Sequence, residues 1–193
     1  MGKRIAIIQG HPDPDGRRFG HALASVYREA AQSAGHEVRI IDLARLEFPL
    51  LRSAEDWQSG APCAAIRSAQ RTIKWCQHLV VLFPLWLGDM PAVLKGFLEQ
   101  TLRPGFALGK AGRGMPAKLL KGRSARIVVT MGMPAFFYRL YYRAHSVRNL
   151  ERNILRFCGI APVRTTLIGM VGAKRWEARR SLTEMGVLGH RAI

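Results

Sequence analysis

The sequence predicts an α/β fold: a five-stranded parallel sheet of order 2-1-3-4-5, with helices covering both faces. Three observations lead there. Short apolar runs alternate five times with stretches of helical periodicity, the pattern of repeated strand–helix units joined by right-handed crossovers. The runs are apolar at consecutive positions, as in strands buried on both faces. Five such runs are one short of a full six-stranded dinucleotide fold. The 193 residues, 48% apolar and 22% charged, form one domain over 1–193, with no internal repeat, low-complexity tract or linker.

KRIAIIQG (3–10) reads as the first strand. Phe19, Leu23, Val26, Tyr27, Ala30 and Ala34 then recur at helical spacing, and Gly35 stands where a helix stops. HEVRIIDL (36–43) is a second strand. Residues 44–62, with Pro49, Gly60 and Pro62, read as a long connection, and the Ala-rich 63–77 as a helix. HLVVLFP (78–84) is the clearest buried strand, followed by the turn LWLGDM (85–90) and by a helix opening at Pro91. Residues 103–123 carry five Gly and two Pro without periodicity and read as a loop. SARIVVTMG (124–132) is the fourth strand, 136–158 is mostly helical, VRTTLIGMVG (163–172) is the fifth strand, and a helix from Lys174 to Met185 closes the fold.

Composition excludes several classes. No apolar run approaches the roughly 18 residues of a membrane span, and MGKRIAIIQG turns polar too early for a secretory signal. Cys63, Cys76 and Cys158 make no metal or disulfide spacing and read as reduced thiols of a cytoplasmic protein. The net charge is +17, and from Arg103 to Arg156 there are twelve basic residues against one acid, Glu151. Such a field attracts anions. With no helix-turn-helix or RNA-binding signature beside the charge, no nucleic-acid role is expected.

In an open α/β sheet, ligands bind beyond the carboxyl ends of the strands, where the winding reverses. Here that means GHPDPDGRRFGHAL (10–23), FPLWLGDMPAVLKGF (83–97) and TMGMPAFFY (130–138). The first loop has neither GxGxxG nor GxxxxGK[ST], so dinucleotide-fingerprint and P-loop readings fail. It offers His11, Arg17 and Arg18 just before a helix start, a setting that suits an anion. The second places Trp86 between Leu85 and Leu87 at a turn tip, where a flat ligand, a subunit contact or core packing would each account for it. The third supplies Thr130, Gly132 and Tyr138 beside Phe136 and Phe137. There is no G-x-S-x-G elbow, no paired-carboxylate site and no metal spacing among the six His. Anion grips and flat apolar surfaces without acid–base machinery point to a cofactor that carries the chemistry.

On these residues the chain resembles the flavodoxin-like NAD(P)H:quinone oxidoreductases. That group also includes modulators of drug activity and ancillary subunits of bacterial potassium-efflux systems. GHPDP (10–14) with Phe19, Ala22 and Leu23 matches the family's opening, 83–108 its most specific stretch, and RFCGIAPV (156–163) its late helix-to-strand junction. The likeness covers about residues 3–172. It implies a flavodoxin-like three-layer sandwich, a tightly bound FAD or FMN, and a homodimer with active sites at the subunit interface. Carried over residue by residue, His11, Arg18, Phe19 and Gly20 would hold the phosphates, with Arg17 beside them. Pro84, Leu85, Trp86 and Leu87 would line the ring, mostly through backbone groups, and Thr130, Gly132 and Tyr138 would close its other side. Tyr138 would donate a hydrogen bond to an acceptor oxygen, and His145, one residue out of register, stands nearest the family's catalytic histidine. Arg18 and Gly20 replace the family's Ser and Asn, and the first loop is longer.

The implied activity is hydride transfer from NAD(P)H to the flavin, then two-electron transfer to a quinone-like acceptor in the same pocket, with ping-pong kinetics. The arginine excess leans towards a donor carrying a 2′-phosphate. The alternative is a flavin-binding regulatory subunit of a membrane ion-efflux system, the basic 103–156 stretch docking on an acidic partner or on anionic lipid.

Overall fold

The structure, a computed structural model, describes residues 2–109, 115–173 and 175–193. The part of the expected 103–123 loop at 110–114, and Lys174 at the start of the last expected helix, lie outside the described residues.

Five strands, β1 (Arg4–Gln9), β2 (Glu37–Asp42), β3 (His78–Pro84), β4 (Ser124–Thr130) and β5 (Val163–Ile168), form one sheet of order β2-β1-β3-β4-β5. Every pair is parallel; Ile7 sits opposite Ile40 on one side and Val80 on the other. The helices are α1 (Phe19–Ser33), α2 (Ala54–Ser59), α3 (Ala64–Trp75), α4 (Ala92–Thr101), α5 (Ala135–Leu140), α6 (His145–Asn149), α7 (Arg156–Cys158) and α8 (Arg175–Arg191), with a π-helical turn at Leu150–Leu155 between α6 and α7.

The period-two alternation of the strands divides the core in two. Ile5, Ile7, Val80, Leu82 and Val128 pack with Leu23 and Tyr27 of α1 and Met185 of α8. Ala6, Ile8, Val81, Phe83, Ile127 and Val129 face the other way, onto Ile66 and Ile73 of α3, Leu94 and Phe97 of α4, and Leu150 and Leu155. Each large aliphatic side chain removed from water in this way contributes about 1.5–3 kcal/mol. Consecutive apolar residues along β1 and β3 are therefore required, because both faces of the sheet are covered.

The expected strands are all present, and the differences lie in the connections. The 44–62 segment contains α2, a helix too short for periodicity to reveal; its signal is local, the Asp56 N–H donating to Ser53 Oγ at 3.0 Å. The expected helical stretch 136–158 is broken. Arg143 (φ 50°) and Ala144 (φ 48°) are left-handed, and the Ala144 N–H donates to the Tyr138 carbonyl at 3.1 Å. Neither is a residue that marks a helix stop in sequence. β5 ends at Ile168, earlier than expected, because the chain turns back and the Met170 N–H donates to Met133 O at 3.2 Å. α8 runs on past Met185 to Arg191 along α1, and Gly189 is needed where a Cβ would clash with the Tyr27 carbonyl. Among the described residues, no helix is long and apolar enough to cross a membrane.

The start of β3 buries a titratable group. His78 is 2% exposed; its Nδ1 is hydrogen-bonded with Ser124 Oγ at 2.8 Å, while Nε2 has no partner. Burial, aided by the positive charges of Lys3, Arg126 and Arg164, pushes its pKa down to about 3. The folded state holds the neutral ring, while the unfolded chain protonates near pH 6.5. Stability is therefore complete above that pH and declines as pH falls towards the folded value. Between pH 7 and 5 His78 alone should cost about 2 kcal/mol. Urea unfolding at the two pH values measures this: His78→Leu should lose that much less stability than wild type, and equal losses would remove His78 as the cause.

Candidate active site

The winding reverses between β1 and β3, so the loops that leave their carboxyl ends part around a crevice. Gly10 leads out of β1 by passing close under β3. Its N–H donates to Leu82 O at 2.7 Å, and a Cβ there would meet Leu94 Cδ2 at 2.9 Å. Gln9, buried at the end of β1, then ties the loop to the helix that follows. Its Oε1 accepts the His11 N–H at 3.3 Å and its Nε2 donates to Gly20 O at 3.1 Å.

The loop itself is built from side-chain–backbone turns. The Asp13 N–H donates to His11 Nδ1 (3.1 Å) and the Asp15 N–H to Asp13 Oδ1 (2.9 Å). With Nδ1 accepting, neutral His11 carries its proton on Nε2. Partial burial lowers the His11 pKa, with help from His21 and Arg18 and against the pull of Asp13, so the neutral ring is the form at pH 7. Both arginines of the loop are ion-paired, Arg18 Nε to Asp13 at 2.6 Å and Arg17 to Asp15 at 2.9 Å, and the Arg17 side chain is 90% exposed. Exposed pairs of this kind are worth at most about 1 kcal/mol, so either guanidinium can be redirected to an incoming anion.

α1 begins without a side-chain cap and without an acid in its first turn. The His21 and Ala22 N–H groups bond Arg18 O, which leaves those of Phe19 and Gly20 without an acceptor among the described residues. Gly20 keeps the approach narrow: a Cβ would sit 3.3 Å from Leu82 Cδ2.

Beyond Pro84 the chain makes a two-residue hairpin. Trp86 and Asp89 exchange N–H···O bonds of 2.9 and 3.0 Å around Leu87 (φ 48°) and Gly88 (φ 82°), both left-handed. Glycine adopts this backbone freely; leucine is strained by roughly 1–2 kcal/mol. The N–H groups of Leu85 and Trp86 are committed, to Thr130 O (2.8 Å) and Asp89 O, while those of Leu87 and Gly88 are uncommitted among the described residues. Leu87 is fully exposed and Trp86 half exposed, its ring meeting His11 edge-on at 5.8 Å. The first and second loops thus touch through two side chains that were singled out separately in the sequence.

The third loop closes against this hairpin. Thr130 is buried and holds Leu85 through its carbonyl, whereas Gly132 is exposed. Tyr138 is 1% exposed and its hydroxyl lacks a hydrogen-bond partner in a pocket beside Asp89, Ser146 and Val147. Burial raises its pKa. In this arrangement Tyr138 supports the loop from behind. His145 lies exposed at the start of α6 and its imidazole has no partner among the described residues.

Two residues passed over in the sequence hold the assembly together. Asp89 Oδ1 accepts both the Met90 N–H, at 2.7 Å, and the Ser146 hydroxyl, tying the hairpin to α6. Gln9 does the same for the first loop. Asp89 lies within the 83–97 loop and Gln9 at the end of β1, but only the tertiary pairing gives them a role. A separate cavity of about 730 Å³ lies near α2 and the end of α4, but the Arg103 guanidinium on its wall is already bound to Asp56 (3.0 Å) and Gln100 (3.3 Å).

Comparison with known proteins agrees with this architecture. Residues 3–185 match the family described as having a flavodoxin-like fold, Flavodoxin_2. An uncharacterized NAD(P)H oxidoreductase of Haemophilus influenzae is 29% identical over 183 residues, covering 93% of this chain and 90% of that protein. The solved NAD(P)H:quinone oxidoreductase from Methanothermobacter marburgensis aligns with a TM-score of 0.83 at 20% identity, over 100% of this chain and 98% of the other. An FMN-dependent NADH-azoreductase from Bacillus anthracis, solved in complex with FMN, aligns with a TM-score of 0.78 at 15% identity, over 100% and 99% of the two chains. At such identities the solved structures speak to the fold alone. With the family spanning nearly the whole sequence and the sheet order matching, the chain belongs to the Flavodoxin_2 family of flavodoxin-like proteins.

Proposed function

We propose that this protein is a flavin-dependent NAD(P)H oxidoreductase that delivers electrons to a quinone or similar acceptor. The observation that carries the proposal is the crevice between β1 and β3. At one end it has a helix start with uncommitted N–H groups and no acid in its first turn, and at the other an exposed Trp86–Leu87 hairpin with two uncommitted N–H groups. An anionic tail and a flat ring fit these two ends. The names of the Haemophilus relative and of the two solved structures are in keeping with that chemistry.

In this role the Phe19 and Gly20 N–H groups, His11 Nε2–H and Arg18 would hold the phosphates. Trp86 and Leu87 would wall the ring, and the Leu87 and Gly88 N–H groups would face charge developing on it. With their N–H groups committed to Thr130 O and Asp89 O, Leu85 and Trp86 would serve as framework rather than as donors. The chemistry supplied by a bound flavin, FAD or FMN, is acceptance of a hydride from NAD(P)H and delivery of two electrons to the acceptor. The protein contributes orientation and exclusion of water from the crevice. The proposal includes a cytoplasmic setting, in keeping with three free cysteines, two of them with thiol pKa values pushed up to about 11 by burial. It also includes a homodimer in which a second copy covers the Trp86–Leu87 tip.

Charge at the phosphate end is set by the Arg18–Asp13 pair. Arg18→Ala removes a cation and leaves an unpaired carboxylate, so flavin should bind about 10-fold or more weaker. Asp13→Asn keeps the turn acceptor but frees Arg18, and should bind flavin more tightly. Fluorescence titration of the flavin-free protein measures both, and an unchanged Kd in Arg18→Ala would place Arg18 outside the site.

One pocket serving donor and acceptor in turn excludes a ternary complex. Initial rates against NADPH at several fixed quinone concentrations should give parallel double-reciprocal lines, and Trp86→Ala should shift the KM of both substrates. Intersecting lines would mean separate sites.

A further inference from the structure

The segment FFYRLYYR (136–143) presents an arrangement that the crevice does not use. Phe136 is 66% exposed and Leu140 76%, on a helix of six residues, and Tyr141, which caps it, is 71% exposed. The aromatic rings are organised before any partner arrives. Phe137 and Tyr141 stack at 5.1 Å with planes 5° apart, and Tyr142 stands edge-on to both at 5.9 and 5.0 Å. Arg139, Arg143 and Arg148 are exposed around this cluster and make no ion pair among the described residues. No acid occurs between Glu99 and Glu151 in the sequence to pair them locally. The two left-handed residues, Arg143 and Ala144, make the corner between α5 and α6 that holds the face outward.

We propose that this α5 face docks on the surface of an anionic lipid bilayer. Two features favour one partner: a contiguous apolar and aromatic surface gains by leaving water, and several unpaired guanidinium groups gain by meeting negative charge. The headgroup boundary of an anionic membrane meets both, with rings and Leu140 at the acyl edge and arginines among the headgroups. A second copy answers mainly the first, since it brings another chain of charge +17 to a face already rich in arginine. Nucleic acid meets only the second, leaving the aliphatic Leu140 in water. The contact is peripheral, because α5 is far too short to span a membrane. α5 follows β4, so the face lies at the same edge of the sheet as the crevice. The docking stands on this surface alone and does not depend on a flavin being bound.

Co-sedimentation of the purified chain with vesicles tests the proposal. Phosphatidylcholine vesicles containing about 30% phosphatidylserine should bind the protein, less so as salt rises, and pure phosphatidylcholine vesicles should bind it far less. Removing Arg139 and Arg143 together by alanine substitution should lower the partition coefficient about 25-fold, at about five-fold per arginine. Removing the same charge elsewhere, Arg52→Ala with Arg71→Ala, should change it less than about two-fold, and Leu140→Asn should weaken binding with circular dichroism unchanged. Failure to bind the anionic vesicles, or equal losses from the two arginine pairs, would overturn the proposal. So would Leu140→Asn converting a dimer to a monomer in light scattering, or a single-stranded oligonucleotide binding through Arg139 and Arg143 without sensitivity to Leu140.

Discussion

The crevice depends on one close backbone approach. Gly10 leaves β1 with its N–H on Leu82 O at 2.7 Å, and there is no room for a Cβ between Leu82 O and Leu94. The bond pins the first loop to β3 at the point where the helices that follow β1 and β2 take opposite faces of the sheet. Everything beyond is attached in sequence. Gln9 fastens the loop to α1, His11 meets Trp86, Leu85 hangs from Thr130, and Asp89 anchors the hairpin to α6 through Ser146. Three loops from three strands meet at one edge through two backbone bonds, from Gly10 and Leu85, and through side-chain ties from Gln9, His11 and Asp89. The strained φ of Leu87 survives there because Trp86 and Asp89, on either side of the Leu87–Gly88 pair, are hydrogen-bonded to each other across the turn.

The strands were readable because burial on both sides of a parallel sheet leaves an unbroken apolar run, as in HLVVLFP. Their order followed from the number of units and the handedness of crossovers. The loops that carry the crevice were readable for the same reason, since they follow the strand ends. What the sequence could not convey were non-local pairings. Asp13 and Asp15 look like free acids until the fold sets Arg18 and Arg17 against them. Tyr138 looks like a hydroxyl offered to a ligand, yet α6 folds over it and buries it. The break at Arg143 and Ala144 comes from a left-handed corner built of residues that ordinarily continue a helix.

The excess of positive charge separates into groups with different physical roles. Arg126 is buried and spent on Thr166 and Ile193 O at 2.7 and 2.6 Å. Arg103 is buried against Asp56 and Gln100. Arg17 and Arg18 sit in exposed pairs that an anion can reopen, and the arginines around α5 have no partner in the described chain. A net charge alone would have treated these alike. Their surroundings divide them into structural cations, cations poised at the crevice, and cations facing outward beside aromatic rings.

The central claim is that the edge between β1 and β3 holds a flavin. It is tested most directly by purifying the protein, releasing any bound small molecule with heat, and identifying it by mass. The account expects FMN or FAD at close to one per chain, with the yellow absorbance lost on release and restored on adding the same flavin back. A colourless protein that binds neither FMN nor FAD when either is supplied in excess would contradict it.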